Sequence, residues 1–195
     1  MPNPQEEKAA ALALFGRLNI TPEHLVIADR PDVRFRHDHK QIGLEITMAD
    51  PEEYRRVHAL RHELGVTFPS GLHDEHGRRR TTTELREDIS NPNVQWQPVD
   101  QALARWARCI RRAYENKLAK LRRPGFERFD EDWLLIAGTT GPDNSTPNLE
   151  FAPRFLALEL SHAATDEPQF HKVYIHFDAF LFRYQEGQLS FNFQP

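Results

Sequence analysis

The stretch RPDVRFRHDHKQIGLEIT, residues 30–47, constrains the fold more than any other part of the chain. Reading the polar run His37-Asp38-His39-Lys40 as a four-residue loop sets Arg36 opposite Gln41 and Asp32 opposite Glu45. Val33, Phe35, Ile42, Leu44 and Ile46 then share one face, and Asp32, Arg34, Arg36, Gln41, Gly43, Glu45 and Thr47 share the other. This is the period-2 alternation of a half-buried β-hairpin, and a slip of one residue would move the whole apolar set into water. Two acids directly opposed on such a ladder have Cβ atoms roughly 5 Å apart and repel unless something neutralises them. A divalent cation would do so.

The chain has 195 residues, 39% of them hydrophobic, which suits one domain with a full core. It has no apolar run of about 18 residues, and its start, MPNPQEEKAA, has neither a basic segment nor an apolar one. A membrane span and a signal peptide are therefore not expected, and the expected location is cytoplasmic. Cys109 is the only cysteine, which excludes an internal disulfide and any multi-cysteine zinc site.

The net charge of −4 argues against a protein that coats nucleic acid over its whole surface. Basic residues are nevertheless concentrated. Residues 101–123 carry Arg105, Arg108, Arg111, Arg112, Lys117, Lys120, Arg122 and Arg123 against Glu115, and Arg78, Arg79 and Arg80 form a triplet. Such patches can track phosphates, although a solvated helix face and a polar loop account for them equally.

Along the chain, residues 5–18 read as a helix and residues 24–28 as a short strand leading into the hairpin. Asp50-Pro51-Glu52-Glu53 opens a helix running to about Leu64, with an N-cap residue, a proline at the first position and acids in the first turn. Residues 66–98, with three prolines and no clear period, read as an insertion with the character of a flap. Asp100 caps a long helix to about Arg123, WLLIAG (133–138) is a buried strand, residues 151–164 are a helix and HKVYIHF (171–177) is another strand. The last segment is a hairpin turning near Glu186-Gly187. The expected class is α/β, a mixed central sheet flanked by helices in a single domain over residues 1–195.

Arg30-Pro31-Asp32, then Ile42-Gly43-Leu44-Glu45-Ile46-Thr47, then a helix and a WLLI strand, resemble the PD-(D/E)xK nuclease superfamily over residues 5–177. The resemblance implies a restriction-endonuclease-like αβββαβ core, with the insertion at 66–98 and the C-terminal hairpin as additions. It also implies Mg2+ or Mn2+ held by Asp32 and Glu45. One departure matters: the pattern has a lysine two residues after the second acid, where this chain has Thr47.

Phosphodiester hydrolysis needs a carboxylate-held metal to acidify water, and a nearby cation to position that water or offset charge on the phosphate. Thr47 cannot supply a cation. Some relatives of the resembled family carry the lysine on a neighbouring helix. In the 101–123 helix, Lys117 lies within about 20° of the apolar stripe of Leu103, Trp106, Ile110, Tyr114, Leu118 and Leu121. It is expected to point inward, and Lys117→Met, which keeps the stem, to cost under about 1.5 kcal/mol. On the first helix Glu7 shares the stripe of Ala11, Leu14 and Leu18, and the resemblance makes it a further metal ligand. Plainer accounts stay open: an exposed terminal glutamate for Glu7, snorkelling for Lys117, a turn aspartate for Asp32, and an ion pair with Arg34 or Arg55 for Glu45.

His58 and His62 have i, i+4 spacing but lack the glutamate of an HExxH zinc protease. The Gly138–Asp143 segment follows a strand but lacks the phosphate-loop lysine, and no serine-nucleophile elbow occurs. Three readings follow. The first is a metal-dependent nuclease acting on DNA or RNA, with Asp32, Glu45 and Lys117 at its centre and Arg78, Arg79 and Arg80 on the nucleic-acid backbone. The second is a nuclease fold without catalysis, serving as a binding or interaction domain, and the third is a protein that neutralises a basic partner. Self-association is open.

Overall fold

Seven strands form one mixed sheet in strictly sequential order, β1-β2-β3-β4-β5-β6-β7. The computed structural model describes residues 4–49, 60, 63–64, 81–90, 99–138, 151–163, 169–177 and 180–193. The strands are β1 (Glu23–Ile27), β2 (Val33–His37), β3 (Lys40–Met48), β4 (Glu131–Gly138), β5 (Lys172–Phe177), β6 (Phe180–Gln185) and β7 (Gln188–Phe193). The helices described along their length are α1 (Pro4–Leu18), α2 (Thr82–Ser90), α3 (Val99–Leu121) and α4 (Ala152–Ser161). The class is mixed α/β, with a sheet larger than a four-stranded core.

The β2–β3 hairpin has the register that its alternation requires: Val33 opposite Leu44, Phe35 opposite Ile42 and Arg36 opposite Gln41. The loop is tighter than the four residues expected, because His37 pairs with Lys40. Asp38 and His39 make the turn with φ of 50° and 64°. Two consecutive positive φ values fit the twist of a two-residue hairpin, and Asp and His tolerate that region better than most residues. The β6–β7 hairpin turns as expected, at Glu186 and Gly187.

β3, β4 and β5 are parallel to one another, and the remaining neighbours are antiparallel. Parallel neighbours need crossovers, and α2 and α3 precede β4 while α4 precedes β5. Helices cover the sheet on both sides. Ala11, Leu14 and Phe15 of α1 pack with Val33, Phe35, Ile42, Leu44, Ile46, Trp133 and Leu135 on one face. Leu103, Trp106, Ile110, Tyr114 and Leu118 of α3, with Leu156 and Leu160 of α4, pack with Leu134, Ile136, Val173 and Ile175 on the other. Glu45 pairs with Leu134 and Thr47 with Ile136, so both belong to the α3 face.

Several boundaries differ from the sequence reading. α3 begins at Val99, placing Asp100 inside the helix rather than at its cap, and α4 ends at Ser161. The 66–98 segment is not wholly irregular, since α2 lies within it. Its start is a reciprocal capping box: the Thr81 amide donates to Glu84 Oε2 at 2.7 Å and the Glu84 amide to Thr81 Oγ1 at 3.3 Å. Of the helix expected from Asp50, only Leu60, Glu63 and Leu64 are described, and they are helical. His58, His62, Arg55 and the Arg78-Arg79-Arg80 triplet lie outside the described residues. Among the described residues no helix is long and apolar enough to cross a membrane.

Candidate functional site

Asp32, Glu45 and Lys117 come from three separate elements and meet on the α3 face of the sheet. Asp32 immediately precedes β2, and its Oδ2 accepts a 2.6 Å hydrogen bond from the Ile46 amide of β3. That bond ties the carboxylate to the strand carrying Glu45. The approach is close because residue 43 is glycine: a Cβ there would lie 2.6 Å from Phe129 Cδ2 and 3.0 Å from Pro31 Cγ. Pro31 and the Phe129 ring can therefore settle against the strand beside Asp32.

Lys117 projects inward from the last turns of α3, as its helical phase requires. Its Nζ lies 2.5 Å from Glu45 Oε2 and 3.3 Å from Asp32 Oδ2. The two oxygens are thus at most 5.8 Å apart, the sum of those distances. All three side chains are withdrawn from water, with 11%, 13% and 7% of Lys117, Asp32 and Glu45 exposed. Burial at this level makes the ammonium an obligatory partner rather than an ornamental surface ion pair.

The electrostatics favour more positive charge than Lys117 provides. Burial pushes the Glu45 carboxyl above its ordinary range; the charge and hydrogen bond of Lys117 oppose this, and the negative charge of Asp32 adds to it. Glu7 is raised too, first by burial and then by Asp32, with Glu45 and Asp29 contributing and Lys117 opposing. Glu7 therefore lies in the field of the same centre. Four carboxylates (Glu7, Asp29, Asp32 and Glu45) against two ammoniums (Lys117 and Lys120) leave a formal charge of −2 when all are ionised, a deficit that a divalent ion would cancel.

Hard oxygen donors suit Mg2+ or Mn2+. Among the described residues no three His, Cys, Asp or Glu side chains gather as a ready metal cage. Asp32 and Glu45 would thus supply two carboxylates and leave the remaining positions to water, as Mg2+ commonly requires. Glu7 adds negative charge to the centre without completing a three-residue cluster.

Arg34, an alternative partner for Glu45, is engaged elsewhere: its guanidinium donates to the Arg30 carbonyl at 2.6 Å and pairs with Glu127 at 2.7 Å. Lys120, named in the basic 101–123 stretch, was not expected at this centre. Its charge also acts on Glu45, and its position three residues after Lys117 puts it on the same side of α3. Helical spacing from Lys117 was the available signal.

A second ionic cluster occupies the opposite face, at the start of β4. Glu131 accepts from Lys40 at 2.6 Å, Lys172 at 2.8 Å and the Trp133 indole at 2.7 Å. Burial alone would raise this carboxyl, but those three hydrogen bonds outweigh it and hold it down at about 2. Each acceptor oxygen is already occupied, so the cluster staples the starts of β3, β4 and β5 together. Asp132 next to it accepts from Arg128 Nε at 2.5 Å and the Phe129 amide at 3.3 Å, fixing the loop that lies over Gly43. No family model, curated protein or solved structure matches the chain.

Proposed function

We propose that the chain is a divergent nuclease of the PD-(D/E)xK type. In this reading α1, β1–β3, α3 and β4 form a restriction-endonuclease-like core within the larger sheet, and the reaction is hydrolysis of phosphodiester bonds in DNA or RNA with Mg2+ or Mn2+. The observation that carries the reading is the contact of Lys117 Nζ with both Glu45 and Asp32. A lysine from the long helix thereby reaches the carboxylate pair that Thr47 of the strand cannot serve.

Asp32 and Glu45 would hold the metal, with Glu7 strengthening the negative field around it. When bound, the metal acidifies water and offsets charge on the phosphate. Lys117 contributes a mobile donor that can hold the attacking water or an anionic phosphate oxygen. Lys120, exposed on the next turn of α3, and the Arg78, Arg79 and Arg80 triplet would bear on the nucleic-acid backbone.

The test is cleavage of labelled DNA and RNA oligonucleotides with Mg2+ and with Mn2+. Wild-type protein is expected to cut at least one of them, and Asp32→Ala and Glu45→Ala to reduce cutting at least a hundredfold. Neutralising Arg78, Arg79 and Arg80 is expected to weaken binding and flatten its salt dependence. Intact substrate under all conditions would sink the enzymatic reading.

One observation favours a second reading, a nuclease-like fold used for binding without catalysis. Lys117 already partners both carboxylates, so the centre has a cation of its own, and Thr47 departs from the catalytic pattern. A protein that binds oligonucleotide without cutting it, and with an affinity indifferent to Mg2+ and Mn2+, would select this reading.

A further inference from the structure

Two of the oxygens that would hold a divalent ion, Glu45 Oε2 and Asp32 Oδ2, are in contact with an ammonium. Metal–oxygen distances for Mg2+ are about 2.0–2.1 Å, so an ion bonded to Glu45 Oε2 and Asp32 Oδ2 would have to share space with a nitrogen 2.5 and 3.3 Å from those same atoms. Two cations cannot occupy that volume, and their repulsion is weakly screened where Glu45 is buried and Asp32 and Lys117 are largely withdrawn from water.

The partners differ in freedom to move. Asp32 is anchored by the Ile46 amide, and Glu45 projects from a central strand hydrogen-bonded on both sides. Lys117 instead hangs on a four-carbon stem one turn from the end of α3, with Lys120 exposed beyond it, so its ammonium can swing toward solvent. The Asp32 carboxylate and the Glu45 backbone are the fixed parts of the site, and the ammonium is the part with most freedom to move.

We propose that Lys117 is the resident cation of this centre and that a divalent ion enters only by displacing its ammonium from Glu45 and Asp32. The exchange rests on the nuclease reading given above and deepens it. The released ammonium gains access to an incoming phosphate only when metal is present, so one contact both protects the empty carboxylate pair and delays the arrival of Lys117 at the substrate.

Calorimetric titration of Mn2+ into wild-type protein and Lys117→Met, both in the same buffer of about pH 8 because metal ligation requires deprotonated carboxylates, tests the exchange without reference to activity. The variant is expected to bind at least tenfold more tightly. Equal or weaker binding by the variant, with wild type still binding, overturns the exchange and leaves the metal site standing; no binding by either overturns both. A measurement on wild type alone covers the case of a variant that does not fold. Reductive methylation of Lys117, followed by peptide mass spectrometry, is expected to be slow without Mn2+ and several times faster at saturating Mn2+. Unchanged or slower modification overturns the exchange.

Discussion

Lys117→Met separates packing from charge at the centre of the site. Methionine preserves most of the lysine stem, and packing alone puts the cost below about 1.5 kcal/mol. The structure adds a larger charge contribution, because Glu45 keeps only 6% of its surface in water and loses the ammonium at 2.5 Å. Removing one member of a buried ion pair costs about 3–5 kcal/mol when the other must stay charged. Glu45 can escape by taking up a proton, and that caps the charge contribution at about 1.4 kcal/mol per pH unit above its ordinary value of 4.5. The cap is about 3.4 kcal/mol at pH 7 and about 1.4 kcal/mol at pH 5.5. The sign follows from a carboxyl raised in the folded state and raised further in the variant: protonation favours the fold, so the variant recovers relative to wild type as pH falls. Urea unfolding of both proteins at the two pH values, compared through midpoint and slope, reads this directly. The expected deficit is about 3–5 kcal/mol at pH 7, smaller at pH 5.5 by at most about 2 kcal/mol. A deficit below about 1 kcal/mol at pH 7, or one that does not change with pH, would refute the claim that Lys117 neutralises a buried charge.

The Glu131 cluster has the opposite pH signature. Its carboxyl is held at about 2 against an ordinary 4.5, so the stability it contributes is present above pH 4.5 and lost as pH falls toward 2. Glu131→Gln is expected to cost up to about 3 kcal/mol at neutral pH, and a gap to wild type that fails to narrow on acidification would contradict the assignment. Gly43→Ala forces a Cβ against Phe129 and Pro31 and is expected to cost about 1–3 kcal/mol and weaken Mn2+ binding through Asp32. Gly16→Ala, in α1 with nothing within 4 Å of the new Cβ, should instead raise stability by up to about 1 kcal/mol. Thermal melts of the two variants moving in the same direction would remove the steric argument.

The hairpin was legible from residue types alone. Alternation across 33–46 permits one register that buries Val33, Phe35, Ile42, Leu44 and Ile46 together, and that register carries Glu45 to the opposite face. Helical phase likewise turns Lys117 toward the core stripe of α3 without reference to any contact. Both are periodic, local signals that depend only on the geometry of one element. The start of α2 is a local signal as well, a capping box at Thr81 and Glu84, but it is masked by the prolines and aperiodicity of the segment around it. Glu131 and Asp132 were not legible as strand residues, because a carboxylate reads as loop until its partners are known. Lys40 and Lys172 lie 91 and 41 positions away from Glu131 in the chain, and only the parallel pairing of β3, β4 and β5 brings them together. The seven-strand order and the convergence of Asp32, Glu45 and Lys117 have the same origin. Periodicity tells each element which of its faces is buried, whereas the choice of which buried faces meet depends on packing between distant segments, and that information exists only in the folded chain.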